Sequence, residues 1–182
     1  TSVDSIVRPM MTALVIPVMR AAPLVDGWRE KTVVDKPSIG IPPHITLLFP
    51  FVPAEEIDNQ VLLDLRELFA GFEPFGFTLP RCARFPAVLY LAPEPAGAFL
   101  ELTKAICERW PEHQPYEGEF ETVTPHLTVA TAEDDLLDAI EAELAPKLPL
   151  TSRATEAVLL EEQERFWQKW GTRASFPLGK GR

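Results

Sequence analysis

The chain has 182 residues, 46% of them hydrophobic and 24% charged, which is typical of an ordinary globular protein rather than a disordered one. No apolar run reaches the roughly 18 residues that a membrane span needs. Residues 1–10 lack the charged start and apolar core of a secretory signal, so we interpret them as a leader or remnant outside the fold. Residues 11–182 are expected to form a single domain with two lobes.

The net charge of −10 and the pI of about 4.8 limit the substrates that the protein can bind. An acidic surface repels an extended phosphate backbone, so we expect no docking on duplex nucleic acid, whereas a small anionic substrate stays compatible with a locally positive site. Cys82 and Cys107 are too few for a disulfide framework and lack the spacing of a metal knuckle. Reduced thiols favour a cytoplasmic protein, and we expect a monomer with no membrane partner.

Hydrophobic periodicity predicts strands and helices in mixed order along the chain. The predicted strands are 12–18, 44–51, 75–85, 87–92 and 126–131, and the predicted helices are 23–35, 54–69, 96–110 and 133–147. The tail, residues 154–179, is expected to hold two or three strands with turns near Gln163 and Gly171. Because several strands follow one another without an intervening helix, the pattern favours α+β with antiparallel sheet over a doubly wound parallel sheet.

Two of the three histidines occur in nearly the same phrase, Pro-His-Ile-Thr-Leu at 43–47 and Pro-His-Leu-Thr-Val at 125–129. The phrases are almost half the chain apart, and each begins a predicted strand that an acid-starting helix follows. One His-x-Thr at the head of a strand carries little information, but two copies in matching contexts indicate an internal duplication.

Alternation along a strand places residues i and i+2 on one face, so His44 points with Thr46 and His126 with Thr128. Related halves would bring both pairs to one cleft, with the histidine ring nitrogens on the order of 5–8 Å apart, as flanking a phosphate requires. One imidazole can then accept a proton while the other donates one near neutral pH. The threonine hydroxyls can donate to the phosphate oxygens.

Other chemistries are less well supported by the sequence. No carboxylate lies at ligand spacing beside the two histidines, so a zinc site is not predicted and no cofactor is expected. A Ser-His-Asp triad is disfavoured because no serine has the sequence context of a nucleophile elbow.

The paired phrases PHITLLF and PHLTVA make the chain similar to the two-histidine (2H) phosphoesterase superfamily, and within it to the 2′-5′ RNA ligase-like proteins, which also act as RNA 2′,3′-cyclic phosphodiesterases. The resemblance implies a bilobal α+β fold, with two antiparallel sheets in pseudo-twofold relation around a central cleft and helices outside. It also implies that His44 is the general acid, His126 the general base, and Thr46 and Thr128 the phosphate-binding residues. In that branch an arginine commonly stands three positions after the second threonine; here the residue is Thr131, which puts that branch's substrate in doubt.

Further substrate contacts are candidates on residue type alone. Arg81 and Arg84 could supply the cation that position 131 lacks, and the aromatic residues Phe49, Phe51 and Tyr90 could stack on a base. For each of these residues, a place on the surface or in the core is the alternative.

The function that these features predict is metal-independent hydrolysis of 2′,3′-cyclic phosphates or 2′-5′ linkages in small ribonucleotides or RNA ends. Two alternatives stay open, which are reversible 2′-5′ RNA ligation at the same site and a non-catalytic nucleotide-binding module.

Overall fold

A computed structural model describes residues 8–32, 41–113, 123–164 and 169–180. The helices are α1 (Ala22–Thr32), α2 (Asn59–Ala70), α3 (Gly97–Arg109) and α4 (Asp134–Leu144). The strands are β1 (Thr12–Pro17), β2 (His44–Leu48), β3 (Phe75–Leu79), β4 (Cys82–Phe85), β5 (Val88–Leu91), β6 (Leu127–Thr131), β7 (Leu150–Ala154), β8 (Glu156–Glu164) and β9 (Lys169–Pro177). In the described part of the chain, no helix is long and apolar enough to span a membrane.

Every named strand pairing is antiparallel, which confirms the predicted α+β class. The first sheet has the order β2-β1-β8-β9. Its strands come from both ends of the chain, because β1 pairs with β2 on one side and with β8 on the other. The first histidine strand, β2, therefore lies at an edge of this sheet.

The remaining strands form a second layer in two connected parts, β6-β5-β4 and β3-β7. Thr78 in β3 exchanges backbone hydrogen bonds of 2.8 and 2.7 Å with Glu94, just after β5, while Cys82 in β4 pairs with Leu91 in β5. Thus β3 and β4 are two parts of one hairpin arm, interrupted around Pro80, which has no N–H to donate. The two parts together correspond to the predicted second sheet, with β6 at its edge; the pseudo-twofold relation stays a prediction.

The two edge strands that carry the histidines lie beside each other, and each contacts a helix that follows a strand of the other sheet. Helix α1, which follows β1, packs against β6, where the Thr32 hydroxyl accepts from the Thr131 N–H at 3.2 Å. Helix α3, which follows β5, packs against β2, where the Thr103 hydroxyl donates to the Leu47 carbonyl at 2.8 Å. The Thr131 N–H and the Leu47 carbonyl belong to edge strands, where backbone groups would otherwise lack a partner in the sheet.

The structure differs from the predicted elements in four larger ways, in addition to shifts of one to three residues at other element ends. Helix α2 starts after Asp58, whose carboxylate accepts from the Val61 N–H at 2.9 Å, because a separate 3₁₀ turn occupies 54–56. Strand β7 was missed. Strand β9 runs through Gly171, where a turn was predicted, and the end of the exposed Gln163 side chain lies over this glycine.

The fourth difference concerns the N-terminal segment, whose residues 8–10 belong to the fold although 1–10 were predicted to lie outside it. The Arg8 guanidinium forms a two-pronged salt bridge of 2.7 and 2.8 Å with the buried Glu162 carboxylate. The Met10 carbonyl accepts from the Ala54 N–H at 2.9 Å. Residues 1–7 lie outside the described residues, as does the predicted end of helix 23–35 beyond Thr32.

Phe99 on α3 tests the main hydrophobic core, since it is 1% exposed and makes edge contacts with Phe75 and Phe77 at 5.1 Å. We expect Phe99→Ala to lower the free energy of unfolding by about 3–5 kcal/mol through the cavity it leaves. Urea denaturation measures the change. Leu63→Ala on α2, 59% exposed, is the matched control and should cost no more than about 0.5 kcal/mol. Equal losses in the two variants would contradict this assignment of the core.

Candidate active site

Both histidine rings are oriented by the same local hydrogen bond. His44, the first residue of β2, has its Nδ1 2.9 Å from the Pro42 carbonyl oxygen, and His126, just before β6, has its Nδ1 2.7 Å from the Thr124 carbonyl oxygen. A carbonyl can only accept, so each bond needs the proton on Nδ1. In the neutral ring this leaves the Nε2 lone pair available as a base, and in the charged ring Nε2 carries a proton to donate.

The neighbouring positions of β2 and β6 bring the two histidine motifs together from distant parts of the sequence. His126 lies close enough to His44 for its charge to affect the His44 titration. The two imidazoles therefore lie within electrostatic range of each other; their predicted 5–8 Å separation and their catalytic roles stay predictions.

A register shift follows the threonine in each motif. On β2, Thr46 pairs with Val15 and Leu48 with Leu14, so Leu47 is the extra residue of a bulge. On β6, Thr128 pairs with Tyr90 and Ala130 pairs with Leu89, so Val129 is the extra residue of a second bulge. Both residues after each threonine are buried in the main core: Leu47, Leu48, Val129 and Ala130. The third residue after each threonine, Phe49 or Thr131, therefore returns to the histidine face, which is the reason that position 131 bears on the site.

Thr46 and Thr128 are half-buried on the histidine face, as alternation predicts. Among the described residues, neither hydroxyl has a hydrogen-bonding partner. Both are therefore available to donate to a bound group.

The electrostatic environment of His44 opposes a positive charge on its ring. Burial lowers the pKa of His44 to about 4, helped by the positive charges of Arg29 and His126, while the bond to the Pro42 carbonyl acts in the opposite direction. At neutral pH the free protein therefore holds His44 as a neutral imidazole.

Arg29 is a site residue that the sequence analysis missed. Its guanidinium is buried beneath the segment leading into β2, where it donates to the Ile41 carbonyl at 3.2 Å from both Nη atoms. A longer contact of 3.5 Å reaches the Pro42 carbonyl, the same oxygen that orients His44. The sequence signal for its burial was helical spacing, because Arg29 lies four residues after buried Val25 and hence on the same face of α1.

Two aromatic rings flank His126. Phe85 on β4 and Tyr90 on β5 stack with ring centroids 4.2 Å apart, and the His126 ring meets them edge-on at 5.2 and 5.6 Å. Tyr90, predicted as a base-stacking residue, is thus beside a site histidine, although only 8% of it is exposed. Phe85 was missed, and alternation with Arg84 on β4 was the signal that placed it on the other face.

Two candidate substrate contacts are corrected by the structure. The Arg84 guanidinium turns away from the histidine face and pairs with Asp138 at 2.6 Å and Glu141 at 2.8 Å, both on α4. The ring of Phe51 is 2% exposed and packs edge-on against Trp110 at 5.1 Å, so it belongs to the core. Phe51 is thus buried away from a substrate, and Arg84, whose side chain is 28% exposed, is paired with carboxylates.

Two other candidates stay predictions. Arg81 is highly exposed and forms a 3.2 Å ion pair with Glu94, an interaction that solvent weakens. Phe49 is half-buried and meets Trp170 edge-on at 6.1 Å in a small second cluster of apolar residues.

A cavity of about 470 Å³ begins beside the first histidine motif. Its lining includes Pro17, the strand partner of His44, and the arginines Arg20 and Arg153. Neither guanidinium bonds to another residue of the described ranges. The cavity therefore offers two cations together with the carboxylate of Glu156, and its link to the first motif is Pro17.

Neither a metal centre nor a reactive thiol is supported by the described residues. Within the described ranges, no three or more His, Cys, Asp or Glu side chains cluster as metal ligands do. Both cysteines are free, and burial raises the pKa of Cys82 to about 11 and that of Cys107 in the same direction. Their thiols are thus poor nucleophiles at neutral pH.

Comparison with known proteins identifies the family. The model of the 2′-5′ RNA ligase superfamily matches residues 17–165, which include both histidine motifs. The chain belongs to this superfamily. A protein of Bacillus cytotoxicus named "Putative phosphoesterase" is 30% identical over 149 residues, covering 78% of this chain and 81% of that protein. A protein of Bacillus licheniformis with the same descriptive name is 32% identical over 93 residues, covering 50% of this chain and 53% of that protein.

Solved structures confirm the superfamily fold. The crystal structure of E. coli LigT complexed with 3′-AMP has a TM-score of 0.60 at 15% identity, covering 95% of this chain and all of that one. The crystal structure of TT0787 of Thermus thermophilus has a TM-score of 0.57 at 19% identity, covering 94% of this chain and all of that one. At these identities the likeness shows the shared α+β architecture.

The lowered pKa of His44 predicts a pH-dependent stability. The unfolded chain binds a proton near pH 6.5 that the folded chain takes up only near pH 4, so folding stability rises with pH across that window. A shift of this size amounts to at most about 3 kcal/mol, gained fully above pH 6.5 and absent below pH 4. Urea denaturation across this pH range should show a shallower pH dependence for His44→Gln than for the wild type. His113→Gln is the control; a His44→Gln curve parallel to the wild-type curve would refute the prediction.

Proposed function

We propose that this protein is a metal-independent phosphodiesterase that hydrolyses 2′,3′-cyclic phosphates or 2′-5′ linkages in small ribonucleotides or RNA ends. His44 and His126 would be the acid–base pair, and Thr46 and Thr128 would hold the phosphate. The observation that carries the proposal is the matching hydrogen bond of the two imidazoles. Each donates from Nδ1 to a carbonyl two residues earlier, at the head of one of two neighbouring strands.

The proposed reaction needs one base and one acid. For a 2′,3′-cyclic phosphate, Nε2 of one imidazole removes a proton from water, and the water oxygen forms a bond to phosphorus. The bond from phosphorus to the 2′ or 3′ oxygen breaks, and the other imidazole gives that oxygen a proton. The net change is the addition of one water. Before the next turnover, the ring that accepted a proton must lose it and the ring that gave one must regain it.

The threonines would donate hydrogen bonds to the negatively charged phosphate. Their half-buried hydroxyls lack described partners, so they can donate to non-bridging oxygens without first breaking a hydrogen bond within the protein. Donors fixed in place before the reaction stabilise charge that develops in the transition state.

The comparisons support the ribonucleotide part of this proposal. The superfamily description refers to 2′-5′ RNA ligases, and the structurally similar E. coli LigT was crystallised with 3′-AMP. The Bacillus relatives carry phosphoesterase names. We carry over the class of linkage and nucleotide, with the base left open.

Arg20 and Arg153 are the cations best placed for the rest of the substrate. They line the cavity that begins beside the strand partner of His44, whereas Arg84 is bound to two carboxylates of α4. A nucleotide preceding the cyclic phosphate could place its own phosphate in this cavity. The cavity is small, and that suits a short strand end rather than a duplex.

Ligation and simple binding are the alternatives. Ligation would use the same groups in the reverse direction. A binding module would retain affinity without turnover, but it would have no need for two rings that both present Nε2.

Replacing the histidines and threonines tests the acid–base assignment, with 2′,3′-cyclic nucleotide monophosphates as substrates and EDTA in every assay. We expect His44→Ala and His126→Ala each to lower kcat by about 10²–10⁴-fold, the usual worth of one general acid or base. Thr46→Val and Thr128→Val should cost less, since each removes one neutral donor.

Activity that disappears in EDTA and returns with a divalent ion would contradict the metal-independent mechanism. Full activity of either histidine variant would locate the chemistry elsewhere. Binding of the cyclic nucleotide without turnover in the wild type would favour the binding module.

Substrate size is tested with a cyclic mononucleotide, a dinucleotide ending in a cyclic phosphate, and a duplex RNA with the same end, each in a salt series. We expect slower turnover of the duplex and a shallow salt dependence for the mononucleotide, because a site with one phosphate contact displaces few counterions. Arg153→Ser should lower kcat/KM for the dinucleotide by about tenfold, the worth of one charged hydrogen bond. Arg66→Ser, on the exposed side of α2, is the control. Faster turnover of the duplex with a steep salt dependence would contradict this size limit.

A further inference from the structure

We propose that Phe85 and Tyr90 are positioning residues that hold the His126 imidazole in its catalytic orientation. The inference rests on the proposed function for its catalytic meaning, while the state of the His126 ring can be measured without any substrate. It leaves the acid and base roles implied by the family resemblance as they are. Tyr90 thereby acts on the histidine rather than on a nucleobase.

The backbone holds the two histidines unequally. His44 is the first residue of β2 and pairs with Pro17 on β1, so the first sheet fixes its position. His126 comes one residue before β6, whose pairing with β5 begins at Leu127. Its ring is tied by one hydrogen bond, from Nδ1 to the Thr124 carbonyl, and a carbonyl oxygen accepts over a broad range of angles. Contacts between side chains are therefore needed to complete the positioning of the His126 ring.

The strand register brings two aromatic rings to this position. Tyr90 on β5 lies opposite Thr128 on β6, and hence diagonal to His126 two residues earlier. Phe85 and Tyr90 are diagonal neighbours as well, because the residue opposite Tyr90 on β4 is Ala83. The small side chain of Ala83 leaves room for the two aromatic rings to stack.

The three rings contact one another as a triangle. The Phe85 and Tyr90 centroids are 4.2 Å apart at an interplanar angle of 24°, and the His126 centroid lies 5.2 Å from the first and 5.6 Å from the second. The imidazole is inclined by 89° to Phe85 and by 67° to Tyr90, the edge geometry that aromatic rings favour. Tyr90 is 8% exposed and stacks on Phe85, so its own movement is restricted. The stacked pair thus restricts rotation of the His126 ring.

Such restriction has a catalytic consequence for His126. Within the described ranges, no aromatic ring contacts His44, and the rings that contact His126 are those of Phe85 and Tyr90. Because Nδ1 of His126 is held by a carbonyl, rotation of the ring displaces Nε2, the atom that exchanges the proton in the proposed reaction. A displacement of about 1 Å in a reacting group can lower a rate by about 100-fold.

The kinetics of Phe85→Leu test the proposal, with 2′,3′-cyclic nucleotide monophosphates as substrates. We expect kcat to fall by about 10–100-fold and KM to change by less than about threefold, since a loosened ring impairs proton transfer more than binding. Phe85→Tyr and Tyr90→Phe retain both rings and should keep kcat within about threefold of the wild type. Phe75→Leu on β3 is the matched control. Phe75 is also half-buried and contacts two rings, those of Phe77 and Phe99, so its loss should lower stability without lowering kcat.

NMR measures the state of the His126 ring without substrate, with its signals assigned by comparison with His126→Gln. At a pH where the ring is neutral, its nitrogen chemical shifts report which nitrogen carries the proton. In the wild type we expect the proton on Nδ1, because the Thr124 carbonyl can only accept. In Phe85→Leu we expect a mixture of both tautomers, whereas Phe75→Leu should keep the wild-type pattern.

Wild-type kcat in a folded Phe85→Leu protein would overturn the proposal, and so would a rise in KM at unchanged kcat, which would make the ring a substrate contact. A mixture of tautomers in the wild type would overturn it even if Phe85→Leu did not fold. Phe85→Met, whose flexible side chain refills much of the space, then repeats the kinetic test. If the tautomers behave as expected but the wild type hydrolyses no cyclic phosphate, the proposed function fails while the positioning of His126 stands.

Discussion

The site depends on the contact between two edge strands that belong to different sheets. An edge strand leaves backbone donors and acceptors unpaired, and here each histidine strand meets a helix that follows a strand of the opposite sheet. The hydrogen bonds of Thr32 and Thr103 tie those helices to β6 and β2. Because β2 and β6 are held side by side, two motifs from distant parts of the chain lie next to each other.

Within each motif, backbone geometry does most of the positioning. The carbonyl two residues before each histidine fixes which ring nitrogen carries a proton, and the bulge after each threonine returns a later residue to the same face. The hydrogen bond and the bulge can both be duplicated with a short segment of sequence, since they depend only on that segment and on the strand that it begins. The surroundings are not duplicated: a buried arginine lies behind His44, and aromatic rings lie beside His126.

The uses of the arginines show how an acidic protein can still offer positive charge to a phosphate. Arg8 and Arg84 are bound to carboxylates, Arg173 to both a carboxylate and backbone carbonyls, and these cations serve the fold. Arg20 and Arg153 line the cavity without such partners in the described ranges. Local pairing thus decides which cations stay available in a protein whose net charge is −10.

The sequence by itself determined the α+β class, most of the helices and strands, and the pairing of each histidine with a threonine on one face. These follow from periodicity and from a repeated phrase, which are local properties. Strand β7 and the passage of β9 through Gly171 depended on pairing with distant strands. Arg84 and Phe51 had the right chemistry for a substrate contact. Only the tertiary structure could show that Arg84 pairs with carboxylates of α4 and that Phe51 packs in the core. Arg29 is the opposite case, because it is a charged helix residue that was not predicted to lie at the site. The folded chain buries it beneath the first motif, where it contacts the Ile41 and Pro42 carbonyls. No local sequence pattern specifies these contacts.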